Sequence, residues 1–175
     1  MAIPKEYGIA SDLEADIALL KLESNLNLDY QSTGLAPVCI PTVSEPLDSK
    51  AGKKCTLMGW GATKKDHSHI ADHLMKVKVK IWKQKKCIKA WAKESKITDF
   101  MLCAGEKGKG ICDGDSGGPL VCSIKDRKKK KRFYQYGVAS FGKMNAPCAS
   151  KRFPSVFARV STLSEWIVKV IQKYQ

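Results

Sequence analysis

Apolar and charged residues alternate without a break from Met75 to Ile81. Met75, Val77, Val79 and Ile81 fall on one face, and Lys76, Lys78 and Lys80 on the other. A period of two belongs to an extended chain, so residues 74–81 are read as a strand with one buried and one solvated face. Short apolar runs bounded by Gly or Pro recur at 55–60, 119–124, 134–141 and 155–160. Many short strands between turns predict a β-barrel or sandwich. The period lengthens twice. Residues 82–96 are lysine-rich and put Ile88 and Trp91 at helical spacing. Leu163, Trp166, Ile167, Val170, Ile171 and Tyr174 recur at i, i+3, i+4, i+7, i+8 and i+11, which predicts a C-terminal helix. Thr162 with Glu165 three residues on supplies a capping box for its start.

Composition narrows the class. With 43% hydrophobic and 27% charged residues, the chain is neither disordered nor a membrane bundle. The longest apolar stretch, near residues 15–20, is interrupted by Asp16 and too short to span a bilayer, so no membrane partner is expected. A length of 175 residues fits one ordinary domain. The net charge of +14 favours anionic surfaces. The basic run from Lys125 to Arg132 reads as the solvated tip of a hairpin.

Seven cysteines, at 39, 55, 87, 103, 112, 122 and 148, form no CxxC pair and no zinc-finger spacing. Their wide gaps suit structural disulfides, which require an oxidising compartment. The first residues carry no basic region followed by an apolar run, so no signal peptide is read there. An odd count leaves one cysteine without a partner. His67, His69 and His73 fall in or just beyond a polar stretch read as a surface loop, and their H-x-H-x3-H spacing has no evident fourth ligand, so no metal is expected.

The sharpest signal is Gly114-Asp115-Ser116-Gly117-Gly118-Pro119-Leu120, with Cys112 before it and Cys122 after it. A nucleophilic serine needs flanking glycines that let backbone N–H groups turn towards a developing oxyanion. With this segment the chain resembles the chymotrypsin/trypsin-like serine protease family. Asp16-Ile17-Ala18-Leu19-Leu20, Pro37-Val38-Cys39-Ile40-Pro41, Gly59-Trp60-Gly61, Met101-Leu102-Cys103-Ala104-Gly105, Ser140-Phe141-Gly142 and 154–160 match further family segments in the same order. Phe141 stands where the family usually has Trp.

The resemblance implies an all-β, trypsin-like double β-barrel with the second barrel complete, the first partial, and a C-terminal α-helix. Residues 1–38 would be the remnant of the first barrel, 39–48 the connection, 49–160 the second barrel and 161–175 the helix. It implies a serine endopeptidase that needs no cofactor and acts on protein or peptide substrates. Ser116 would be the nucleophile, Asp16 the triad carboxylate, and the N–H groups of Gly114 and Ser116 the oxyanion hole. Ser140 would hydrogen-bond Asp16, and Asp115 would support the nucleophile loop. The implied disulfides are Cys55–Cys122, Cys87–Cys103 and Cys112–Cys148, with Cys39 left over or linked to an upstream chain. The specificity pocket would have Gly110 as its floor, Ile111 beside it, Gly142 and Ser155 as walls, and Asp113 at its mouth, with Phe141 also contacting substrate. No carboxylate lies at that floor, so cleavage after apolar residues is expected.

One part of the pattern is missing. The family's general-base histidine should precede Asp16, and no histidine precedes His67. Removing that group costs about 10⁶-fold in kcat, so the chain is expected to be an inactive carboxyl-terminal portion that lacks the front half of its domain. The alternative is a non-catalytic homologue that binds partners, with Lys125 to Arg132 contacting anionic glycans. Disulfides and family together imply an extracellular or secretory-granule location.

Overall fold

The computed structural model describes residues 1–41, 51–64, 69–125, 130–143 and 146–174. Within them six strands form one antiparallel sheet: β1 (Lys54–Gly59), β2 (Met75–Lys80), β3 (Met101–Ala104), β4 (Pro119–Lys125), β5 (Lys131–Phe141) and β6 (Ser155–Arg159). Their order is β2-β1-β4-β5-β6-β3. The two edges meet where Ile81 bridges Ala104 and the Gly105 N–H donates to the Lys80 carbonyl at 3.0 Å. The sheet therefore curls around a core that includes Leu57, Val79, Leu102, Leu120, Tyr136 and Phe157.

The alternating segment is β2. Val79 and Ile81 are buried and Val77 half-buried, while Lys76, Lys78 and Lys80 face solvent. Met75 departs from the pattern and is exposed, because its cross-strand neighbour is Gly59, which offers no side chain to pack on. Two one-residue irregularities shape β5. Its register with β4 skips Tyr136, and its register with β6 skips Ser140. An extra residue of this kind bends a strand and re-aims its side chain, here beside the predicted site. Gly137 must be glycine: a Cβ there would stand 2.8 Å from that of Phe157.

Among the described residues three helices decorate the sheet: α1 (Tyr30–Thr33), α2 (Gln84–Trp91) and α3 (Ser164–Tyr174). The lysine-rich helix α2 is shorter than its periodicity suggests and buries Cys87 and Trp91, while Ile88 is exposed. The Cys87–Cys103 disulfide ties the Cys87 face to β3 and so decides which side turns inward. On α3, Ile167 packs with Leu163, Val160 and Ala15, whereas Ile171 and Tyr174 are exposed. The Thr162 hydroxyl donates to the Asp99 carbonyl at 3.2 Å, across the chain rather than into the helix start.

Residues 1–41 run over this body with few strand contacts of their own. Ala2 bridges Leu19, Cys39 bridges Tyr134, and the Lys21 ammonium donates to the Tyr174 carbonyl at 2.9 Å. Ile3, Tyr7, Ile9, Leu20, Leu22, Leu26 and Leu28 are exposed. These side chains leave an exposed apolar surface along residues 1–41, and the architecture is mostly β, one curled sheet with a C-terminal helix. No helix among the described residues is long and apolar enough to cross a membrane.

Disulfides join Cys55 to Cys122, Cys87 to Cys103 and Cys112 to Cys148, and Cys39 is a half-buried free cysteine. The basic run divides: Lys125 closes β4, Lys131 and Arg132 open β5 opposite it, and residues 126–129 lie outside the described residues.

Candidate active site

Ser116 is exposed on the turn between Cys112 and β4, and that turn is closed by backbone hydrogen bonds. The Asp115 N–H donates to the Cys112 carbonyl at 3.0 Å, and the Gly118 N–H to the Asp115 carbonyl at 2.9 Å. Gly114 and Gly117 have φ of 89° and 79°, a left-handed conformation that disfavours any side chain. The loop is sewn to β5 by Gly117 N–H to the Ala139 carbonyl and Ala139 N–H to the Gly118 carbonyl, at 2.9 and 2.8 Å. Among the described residues, the N–H groups of Gly114 and Ser116 have no acceptor within the chain.

The carboxylate of Asp115 turns inward, away from Ser116. Its Oδ1 accepts from the Gly61 N–H and its Oδ2 from the Cys112 N–H, each at 2.9 Å. Gly59 and Gly61 make room for it, since a Cβ on either would come within 2.1 or 2.4 Å of an Asp115 atom. The Gly59-Trp60-Gly61 segment is therefore a cradle for a carboxylate 54 residues further on. Backbone amides thus give the Asp115 carboxylate two donors.

Asp16 lies next to the left-handed Ala15, whose φ is 51°. Its Oδ2 accepts a 2.6 Å hydrogen bond from the Ser140 hydroxyl, across 124 residues. Ser140 is the residue that the β5–β6 register omits, so the irregularity in the strand is what presents its hydroxyl to Asp16. Asp16, Ser140 and Ser116 share the wall of an open cavity of about 850 Å³ whose lining also includes Met1, Ile3, Leu20 and Ile40. His69 and His73 are exposed and line neither this cavity nor the one on the other side of Ser116, and His67 lies outside the described residues. Among the described residues no group of three His, Cys, Asp or Glu side chains converges in a way that suits a metal.

The second cavity, about 700 Å³, adjoins Ser116 and is lined by Ile111, Asp113, Phe141, Gly142, Cys148 and Ser155 among others. Most of the predicted pocket residues are thus together. Gly110 is not among them; it lines a separate space of about 400 Å³ behind Asp115. Ser155 stands directly against it. A Cβ at Gly110 would stand 2.7 Å from the Ser155 Oγ, which accepts from the buried Ile111 N–H at 3.0 Å. Ser155 occupies the depth that a floor side chain would need.

Lys143 and Phe153 at this cavity carried no sequence signal, and Trp91, read only from its helical spacing, packs behind it. The Lys143 ammonium on its wall is paired with Glu94 and lies 5.8 Å from the centre of the Phe153 ring. Trp91 meets Phe141 edge-on at 5.2 Å and Phe153 at 5.3 Å, and its indole N–H donates to the Pro154 carbonyl at 3.2 Å. Phe141 is therefore anchored to α2. These partners are far apart in the chain, so no local spacing could have revealed them.

An antiparallel sheet closed on itself, a glycine-framed exposed serine and a serine-tethered carboxylate together define the scaffold of a chymotrypsin-type serine protease. A sequence profile of the trypsin family matches residues 2–167. The chain is 35% identical to glandular kallikrein-10 of Rattus norvegicus over 164 residues, which is 93% of this chain and 56% of that protein. It is 34% identical to the proclotting enzyme of Tachypleus tridentatus, covering 94% of this chain and 41% of that one. Among solved structures it is similar to mouse neuropsin, a serine protease, with a TM-score of 0.69 and 31% identity over 86% of this chain and 59% of that chain. The chain spans about half the length of these relatives. It belongs to the trypsin family, whose members are serine endopeptidases.

Proposed function

We propose that this chain carries the acyl-transfer part of a serine endopeptidase site and needs an imidazole from outside residues 1–175 to work. The observation that carries this reading is the Ser140–Asp16 hydrogen bond on the wall of a cavity that also holds Ser116. A carboxylate held in this way is suited to orienting an imidazole and stabilising the imidazolium. An imidazole in the cavity would take the proton of Ser116 as its Oγ bonds to the carbonyl carbon of a peptide. The N–H groups of Gly114 and Ser116 would hold the oxygen as it gains charge. The same imidazole would return the proton to the departing amine, and a water molecule would then release the acyl group.

The exposed apolar wall of residues 1–41 supports this reading, because an apolar surface of that extent marks a place where another element packs. Without it Ser116 is a weak nucleophile, and the isolated chain is inactive. Substrate side chains would enter the cavity lined by Ile111, Phe141 and Ser155, where medium or small apolar residues are preferred. The disulfides support an extracellular or granule location.

The test is titration with a fluorophosphonate probe. The chain alone should label negligibly at Ser116. Addition of a family-type front-half segment should restore labelling only when that segment keeps its histidine. Stoichiometric labelling of the isolated chain, abolished by Ser116→Ala, would refute the reading. A second reading, a non-catalytic homologue acting as a binding protein, is favoured by one observation: no imidazole lines either cavity among the described residues. It predicts that complementation restores no labelling at all.

A further inference from the structure

We propose that the outer face of β1 and β2 is a docking surface for a linear sulfated polysaccharide, with Lys54, Lys76, Lys78 and Lys80 as the cations that meet its sulfates. In an antiparallel pair, directly opposed residues share a face, and the register opposes Lys54 to Lys80, Thr56 to Lys78 and Met58 to Lys76. All four lysines are exposed, while Cys55, Leu57 and Val79 of the intervening positions are buried. Alternate residues of a strand lie about 6.8 Å apart, so Lys76, Lys78 and Lys80 form a straight comb about 14 Å long. Lys54 sits beside its end on the neighbouring strand.

The comb is poorly neutralised. Among the described residues, Lys76 and Lys78 have no ion-pair partner. Lys80 pairs with Glu106 at 2.9 Å, but that single carboxylate also faces Lys54 and Lys109. Like charges opposed across a strand pair, as at Lys54 and Lys80, are unfavourable for the sheet. An anionic chain laid along β2 would reverse the sign of that interaction.

The partner's chemistry follows from shape and compartment. A row of cations along one strand fits an extended polyanion better than a compact acidic protein. Single-stranded nucleic acid would want aromatic rings between the cations for its bases. Here Thr56 and Met58 fill those positions, and the nearest exposed ring in sequence, Trp60, lies beyond the end of β1. A protein with three disulfides also works where linear polyanions are sulfated sugars.

The experiment uses the full 175-residue chain and a heparin-derived oligosaccharide, with affinity measured by calorimetry across a salt series. The triple variant Lys76→Ser, Lys78→Ser, Lys80→Ser should bind about a hundredfold more weakly, at about fivefold for each lysine. Lys→Arg at the same three positions should retain binding, and the thermal midpoint should confirm folding. Two triple variants of equal charge serve as comparison, one at Lys85, Lys86 and Lys89 of α2 and one at Lys130, Lys131 and Arg132. Losses below about threefold in both would support the comb. Equal losses in all three variants would mean general attraction to a basic protein and overturn the proposal. So would a dominant loss in the Lys130 variant, or tighter binding of single-stranded DNA with the same dependence on β2.

Discussion

Gly61 donates its backbone N–H to the Asp115 Oδ1 at 2.9 Å, and a methyl group in place of its hydrogen would stand 2.4 Å from the Cγ of the same carboxylate. Hydrogen bond and close approach come from one atom-sized gap. Gly61→Ala should therefore expel the carboxylate and destabilise the chain by about 1–3 kcal/mol, the usual range for overpacking. Urea unfolding would measure this. The variant should also fail to recover probe labelling when complemented, because the Ser116 loop loses two of its anchors. Unchanged stability would mean that Asp115 finds another resting place at no penalty.

The Ser140–Asp16 bond joins two polar groups that are both partly buried. Ser140→Ala leaves Asp16 with one donor fewer, at about 1.5–3 kcal/mol for a bond to a charged group. In the complemented protein the loss should fall mainly on kcat, by about tenfold or more, with KM little changed. An equal change in both constants would point to a general disturbance of β5.

Gly110→Asp alone should destabilise the chain without conferring cleavage after Arg or Lys, because Ser155 fills the space its side chain needs. The double variant Gly110→Asp, Ser155→Gly opens that space and should shift preference towards basic residues in the complemented protein. Peptide-library profiling decides the matter. A full shift in the single variant would mean that Ser155 yields readily.

Cys112–Cys148 closes a loop of 36 residues beside the cavity that adjoins Ser116. Replacing both by Ala should lower stability by about 3–4 kcal/mol in the chain-entropy account. Cys39→Ser, at a free cysteine, should change it by less than about 0.5 kcal/mol. Denaturant midpoints of the two variants separate these cases.

The Lys80 hydrogen bond, with further attraction from Lys80, Lys109 and Lys54, holds the Glu106 carboxyl below the usual carboxylate range. A depressed folded-state value means a stabilising contribution that is present above the unfolded-state value and fades as the pH falls through the folded one. NMR titration of the Glu106 side-chain carbon should find the low midpoint, and Lys80→Gln should move it upward. If the sulfated polysaccharide docks on β2, its affinity should rise over the same acidic window as Glu106 loses its charge, and Glu106→Gln should abolish that rise.

Much of the site was legible because its constraints are consecutive. Gly114 to Leu120 compresses turn, candidate nucleophile and glycine conformations into seven residues, so the motif survives reading without a structure. The lysine comb was legible for a similar reason, since a strand writes its two faces as simple alternation. What escaped depends on packing between distant residues. Nothing near Gly110 announces that Ser155, 45 positions on, closes the space beneath it. Nothing near Lys143 announces Glu94. On α2 the spacing nominated Ile88 for the interior, but a covalent bond from Cys87 to β3 turned the helix otherwise. Periodicity ranks faces by hydrophobicity and is blind to a tether.

The partner that Asp16 holds is supernumerary to the sheet. Ala139 already faces Phe157 and Phe141 already faces Val156, with Ser140 counted by neither. A chain lacking that one residue could keep both pairings and the inward and outward sense of everything after them. It would forfeit a single hydroxyl. Architecture and chemistry are therefore written separately along β5: nine of its eleven residues are paired in the two ladders, and Ser140, outside both, serves the carboxylate.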